Sequence, residues 1–144
     1  MKPINRILSF MMYWGMLFAG AFPCQCEKDM RTKFLLSHPG ENMAIHAGAN
    51  IAMAVQNFRN RGYAALGGII LNRRNVKREE EKVQELAEDF ETKVIGKLTH
   101  SDLVTDAEEQ GKTLMECYPE SEMATEYRIL AEQILNLCRE DGLC

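Results

Sequence analysis

The sequence predicts an α/β fold, a partial parallel sheet flanked by helices. Three observations carry that expectation. Apolar runs short enough for strands recur at residues 33–37, 64–72 and 92–98. The segments between and after them repeat their apolar residues at intervals of about three and four, the helical period. Each run also ends in polar, turn-forming residues: SHPGE (37–41), NRRN (72–75) and THSD (99–102). Strands that alternate with helices pair in parallel, because each connection must cross back over the sheet. Such sheets take their ligands beyond the carboxyl ends of the strands, so those three polar segments form the candidate binding edge.

The elements follow in order. KFLLS (33–37) reads as a strand that ends at a Pro-Gly turn. From Asn42, the residues Ala44, Ala47, Ile51, Ala54, Val55 and Phe58 mark the apolar face of a helix. Gly62 stops that helix, and Arg59 and Arg61 suit its carbonyl end. AALGGIILN (64–72) is apolar almost throughout, as a strand covered on both faces must be. The charged run RRNVKREEEK opens a second helix with Val83, Leu86, Ala87 and Phe90 on one side. The run Glu79-Glu80-Glu81 favours that helix's start through the macrodipole, and Arg73, Arg74 and Arg78 read as a solvated basic edge. TKVIGKL (92–98) is a strand, residues 103–110 a short helix and KTLME (112–116) a weak strand. The last helix starts near Ser121, a good N-cap, and buries Met123, Tyr127, Leu130, Ile134 and Leu137.

Composition narrows the function classes. The 144 residues, 46% hydrophobic and 26% charged, suit one domain with an ordinary core. A formal net charge of −4 leaves no basic surplus to neutralise phosphates, which argues against a nucleic-acid partner. Five cysteines cannot pair completely within one chain, and the spacing of Cys24, Cys26, Cys117, Cys138 and Cys144 fits no common zinc pattern. The uncharged stretch 7–26 follows the basic residues Lys2 and Arg6 and contains the small-x-small triplet Ala19-Gly20-Ala21, as a secretory signal would. Gly15, Gly20 and Pro23 interrupt it as a membrane-spanning helix. Export, anchoring and a buried strand of a cytoplasmic fold all remain open on these residues alone.

Two segments are more specific: LGGIILNRRN, and the run from Leu103 through LVTDAEEQGKTLMECYPESEMATEYRILAEQIL. They resemble the nitrogenase iron protein family, which includes the light-independent protochlorophyllide reductase. The family's Gly-Gly apolar strand ending in Asn and Arg is matched by Gly67, Gly68, Asn72, Arg74 and Asn75. Its later pattern is matched by Val104, Ala107, Glu108, Thr113, Glu116, Pro119, Glu126, Tyr127, Arg128, Leu130 and Ala131. Gly40, Glu41, Met43, Ala44, Ala47, Asn50 and Ile51 resemble its Gly-Glu lead-in to a helix ending Asn-Ile. The register runs from Phe22 to Ala131 without a gap and covers the C-terminal half of the family's usual chain.

The resemblance implies the C-terminal half of a P-loop NTPase-like fold. It divides the chain into a divergent apolar segment (1–32), a degenerate switch strand and loop or else a signal peptide, and an α/β part (33–144). It also implies an ATP-driven electron donor with a 4Fe-4S cluster shared between two subunits, and a dinitrogenase-like acceptor. Several residues depart from that pattern. Met12 and Met16 stand at the two switch aspartates and Ala19 at the cluster cysteine. No G-x-x-x-x-G-K-[ST] occurs; Gly111-Lys112-Thr113 lacks the first glycine and is expected to lead into a strand instead of a helix. Neither ATP nor the cluster is therefore expected to bind this chain alone; Cys24 and Cys26 could hold a soft metal or be two ordinary thiols. By family position, Asn72, Thr99, His100, Ser101, Asp102 and Tyr127 would face the base and ribose. His100 replaces the family's arginine and Met123 a polar residue. No residue is assigned a catalytic or metal-binding role.

The expectation is a truncated, divergent iron-protein-like polypeptide of the cytoplasm, inactive alone and paired with a full-length relative or a complementary half. The alternatives are a non-catalytic interaction module that pairs with a full-length relative, and an exported or membrane-tethered α/β domain.

Overall fold

The computed structural model describes residues 20–24, 32–38, 40–59, 61 and 64–140. Among these residues four strands form one sheet in sequential order: β1 (Gly20–Cys24), β2 (Thr32–His38), β3 (Ala64–Asn72) and β4 (Val94–Leu98). The helices among them are α1 (Asn42–Arg59), α2 (Glu79–Asp89), α3 (Asp102–Glu109), α4 (Leu114–Cys117) and α5 (Glu122–Glu140). β2, β3 and β4 run parallel, as the alternation requires. β1 differs: it lies antiparallel on the outer edge of β2, with Phe22 opposite Leu35. Pro23 sits there opposite Phe34, and an edge strand tolerates a residue with no N–H to give. The expectations about Met12, Met16 and Ala19 fall on residues 1–19, which lie outside the described residues, as do the side chains of Cys24 and Cys26; of the expected signal peptide only Gly20 and Ala21 are described, and both lie in β1.

Both parallel connections step in the same direction along the sheet, so one handedness puts α1 and α2 on the same face. Ile69 and Leu71 of β3 pack there against Val83, Leu86 and Ala87. The alternate residue, Ile70, faces the other way with Leu98, beneath Val104, Leu114 and the α5 residues Met123, Tyr127, Leu130 and Ile134. β3 is thus covered on both faces, which its continuous apolar run foretells. Gly96 lets α5 lie close on β4, for a Cβ there would strike Leu130 Cδ1.

Three expectations need correction. Residues 112–116 do not form a strand: Thr113 caps the start of the short helix α4 instead, with Glu116 inside its first turn. Glu116 Oε2 accepts hydrogen bonds from the Thr113 N–H (2.8 Å) and hydroxyl (2.9 Å), a helix-start pairing. The buried stripe of α1 is Gly48, Ala52 and Val55, while Phe58, Ala47 and Ala54 are exposed. Leu137 packs only at the margin of the core that Met123, Tyr127, Leu130 and Ile134 fill.

Candidate functional site

The carboxyl ends of the parallel strands meet at one edge. Asn72, the last residue of β3, is in register with Leu98, the last of β4, so the two following loops begin side by side. Between them is a cleft of about 90 Å³ lined by Asn72, Arg74, Thr99, His100, Ser101, Val104, Thr105, Glu108 and Met123. Four residues expected near the base, Asn72, Thr99, His100 and Ser101, therefore share one cleft. Asp102 and Tyr127 do not line it. The Asp102 side chain is 98% exposed, with Oδ1 3.9 Å from His100 Nε2. Tyr127 is 1% exposed, in the core beneath α5.

Each wall is held by a carboxylate. Glu126 of α5 accepts the Thr99 N–H through Oε2 (2.8 Å) and the Thr99 hydroxyl through Oε1 (2.7 Å). Glu79 accepts the N–H groups of Arg74 (3.0 Å) and Val76 (3.4 Å) on the loop after β3. Ser101 caps α3 by accepting from the Leu103 N–H (3.4 Å), which aims the helix start at the cleft. Arg73 is not a freely solvated base: it pairs with Glu80, which also takes Lys97 of β4. The hydrogen bond from Lys97 is the largest influence on the Glu80 carboxyl and holds it below its ordinary value; desolvation comes next and opposes it, and the charges of Arg73 and Lys97 add to the lowering. Arg78 does stand on the exposed edge, paired with Glu81.

The Tyr127 hydroxyl is buried with no hydrogen-bond partner. Burial first, then the negative charges of Glu108 and Glu126, pushes its phenol well above the ordinary value. Thr105, Glu108 and Arg74 were not anticipated as lining residues. A signal for the first two existed: with the N-cap Ser101 they fall at helical spacing, 101, 105 and 108, on one face of α3.

Chemically, the cleft offers an amide, hydroxyls, a carboxylate and a guanidinium around an apolar floor of Val104 and Met123. An Asn amide can both donate to and accept from the edge of a purine. Volume decides how much of a ligand can enter. About 90 Å³ is well below the ~300 Å³ from which pockets enclosing whole small molecules begin. A 4Fe-4S cluster needs thiolates. Cys117, whose Sγ donates to Gln110 Oε1 (3.7 Å), is the one cysteine among the described side chains. Those side chains do not fit a cluster, and among the described residues no group of three or more His, Cys, Asp or Glu converges as a metal site. Nor is any helix among them long and apolar enough to cross a membrane.

A family profile described as "4Fe-4S iron sulfur cluster binding proteins, NifH/frxC family" matches residues 7–140. The chain is 35% identical over 120 residues to the nitrogenase iron protein of Methanococcus voltae, covering 83% of this chain and 43% of that protein. It is 34% identical over 120 residues to nitrogenase iron protein 2 of Methanothermobacter thermautotrophicus, covering 83% and 44%. The chain thus spans less than half the length of these relatives. Among solved structures it resembles the cell division ATPase MinD of Pyrococcus furiosus (TM-score 0.54, 22% identity, 72% of this chain and 42% of that one). It also resembles the MinD cell division protein of Aquifex aeolicus (TM-score 0.56, 13% identity, 72% and 44%). At those identities the likeness establishes the α/β ATPase-like fold.

Proposed function

The chain belongs to the NifH/frxC family of 4Fe-4S iron–sulfur cluster binding proteins, and from that premise we propose that it presents the base-facing part of a nucleotide site in an ATP-dependent, electron-donating reductase. The observation that supports this is the single cleft at the sheet's carboxyl edge, where Asn72, Thr99, His100 and Ser101 converge with Arg74, Thr105 and Glu108. In this reading Asn72 addresses the edge of the base, Val104 and Met123 its face, and Ser101, Thr105 and Glu108 the ribose hydroxyls. Tyr127 supports the floor from below and Asp102 stays in solvent.

The triphosphate and the cluster are held elsewhere. Binding a triphosphate takes a run of backbone amides and a lysine aimed at the β- and γ-oxygens, and the 144-residue sequence has no such Gly-rich loop. The chain alone is then inactive as an ATPase and an electron donor. It acts, from the cytoplasm, with a full-length relative or a complementary half, and through that partner with a dinitrogenase-like acceptor. Calorimetry of the 144-residue chain with MgATP tests the reading: no binding in the micromolar range is expected, and micromolar affinity would refute it.

A second reading, a non-catalytic module that pairs with a full-length relative, is favoured by α1. Met43, Met53 and Phe58 stand exposed on that helix, at 81%, 52% and 51%, more apolar surface than a solvated helix needs. Co-purification with a full-length iron protein, abolished by Phe58→Glu and Met43→Glu, is expected if this reading holds.

A further inference from the structure

Glu79 is buried, 7% exposed, although it is the first residue of a helix in a run of glutamates whose neighbours face solvent. A carboxylate at that depth needs donors. The Arg74 and Val76 N–H groups supply them, so the loop between β3 and α2 folds back over its own helix start. From the other side Glu79 meets Gly40. A Cβ on Gly40 would overlap Glu79 Cβ and crowd its Cα, so only glycine lets the turn after β2 press against α2. A second tie joins the same elements: Lys82 Nζ of α2 donates to Asn42 Oδ1 at the start of α1 (2.9 Å).

The loop so held is the cleft wall: Arg74 lines the cleft, and Asn72 stands directly before the loop. We propose that Glu79 is a positioning residue of the cleft and that, through its contact with Gly40, it couples the shape of the cleft to the turn that ends β2. A displacement of that turn moves Glu79, and the two amides it holds move with it. The proposal rests on the nucleotide reading for the identity of the ligand and on geometry alone for the coupling.

Two measurements on the 144-residue chain separate those parts: amide hydrogen exchange, and an AMP titration followed by amide chemical shifts. In Glu79→Ala, the Arg74 and Val76 amides should exchange about tenfold faster, as expected when buried donors lose their acceptor. Ile69, Ile70 and Leu71 should exchange as before, whereas a general loss of stability would speed them all. AMP affinity should fall by a similar factor. Glu79→Gln, whose amide oxygen still accepts, should restore both readouts. Gly40→Ala should weaken AMP binding and loosen Arg74 and Val76 without altering any residue of the cleft. Unchanged exchange at Arg74 and Val76 in Glu79→Ala overturns the proposal, as does faster exchange spread evenly along β3. If Glu79→Ala does not fold, wild-type values of both readouts in Gly40→Ala overturn it. Absence of AMP binding to the unmutated chain counts against the nucleotide reading and leaves exchange to judge Glu79.

Discussion

Tyr127 and Glu79 show how far single residues could be read from the sequence. The family register places Tyr127 near a base, but helical periodicity also puts it in the core, and the structure has its ring there with an unpartnered hydroxyl. A buried hydroxyl without a partner is a liability. Tyr127→Phe should therefore leave stability unchanged or raise it by up to about 1 kcal/mol in urea denaturation; a loss of that size would reveal a partner for the hydroxyl. The phenol's raised pKa adds a sign. The folded state keeps the proton that the unfolded chain releases near pH 10, so Tyr127 lowers stability as pH rises past 10. Tyr127→Phe should accordingly resist alkaline unfolding better than the parent chain. Glu79 was legible only as one of three acidic residues suited to a helix start. Its burial depends on Gly40, 39 positions away, and no local pattern encodes such a contact.

Among the elements, the long apolar runs and the well-capped helices were readable, while segments with weak patterning were not. β3 appears at its expected bounds because an apolar run covered on both faces has few other uses, and β4 appears close to its own. Residues 112–116 misled because Leu114 and Met115 fit a strand or a helix equally well; the informative feature was Thr113 with Glu116 three residues on. Hydrogen bonds from the Thr113 N–H and hydroxyl hold the Glu116 carboxyl below its ordinary value of 4.5. Its stabilising contribution is present above that value and fades as pH falls through the lower, folded one. Thr113→Ala should move the Glu116 titration, followed by carboxyl NMR, back towards the ordinary value and lower Tm modestly. The seat of α5 on β4 is tested at Gly96. Gly96→Ala pushes a methyl group into buried Leu130 and should cost about 1–3 kcal/mol, as overpacked cores do.

For the molecule as a whole, the sequence predicts the parallel arrangement and hence which edge carries the cleft. The antiparallel β1 was not foreseen, since strand direction at an edge follows from a connection rather than from side-chain pattern. Topology explains why loops far apart in sequence line one cleft: parallel strands send every carboxyl end to the same side. In the proposed reading it also lets a base be held apart from the phosphates, which in P-loop proteins are bound at a separate Gly-rich turn. The most direct test compares adenosine with MgATP in amide-shift titrations of the 144-residue chain. Equal, weak affinities are expected for the two, with shifts centred on Asn72, Thr99, Ser101 and Thr105. Binding of MgATP many times tighter than adenosine, or shifts away from that cleft, would contradict the nucleotide reading.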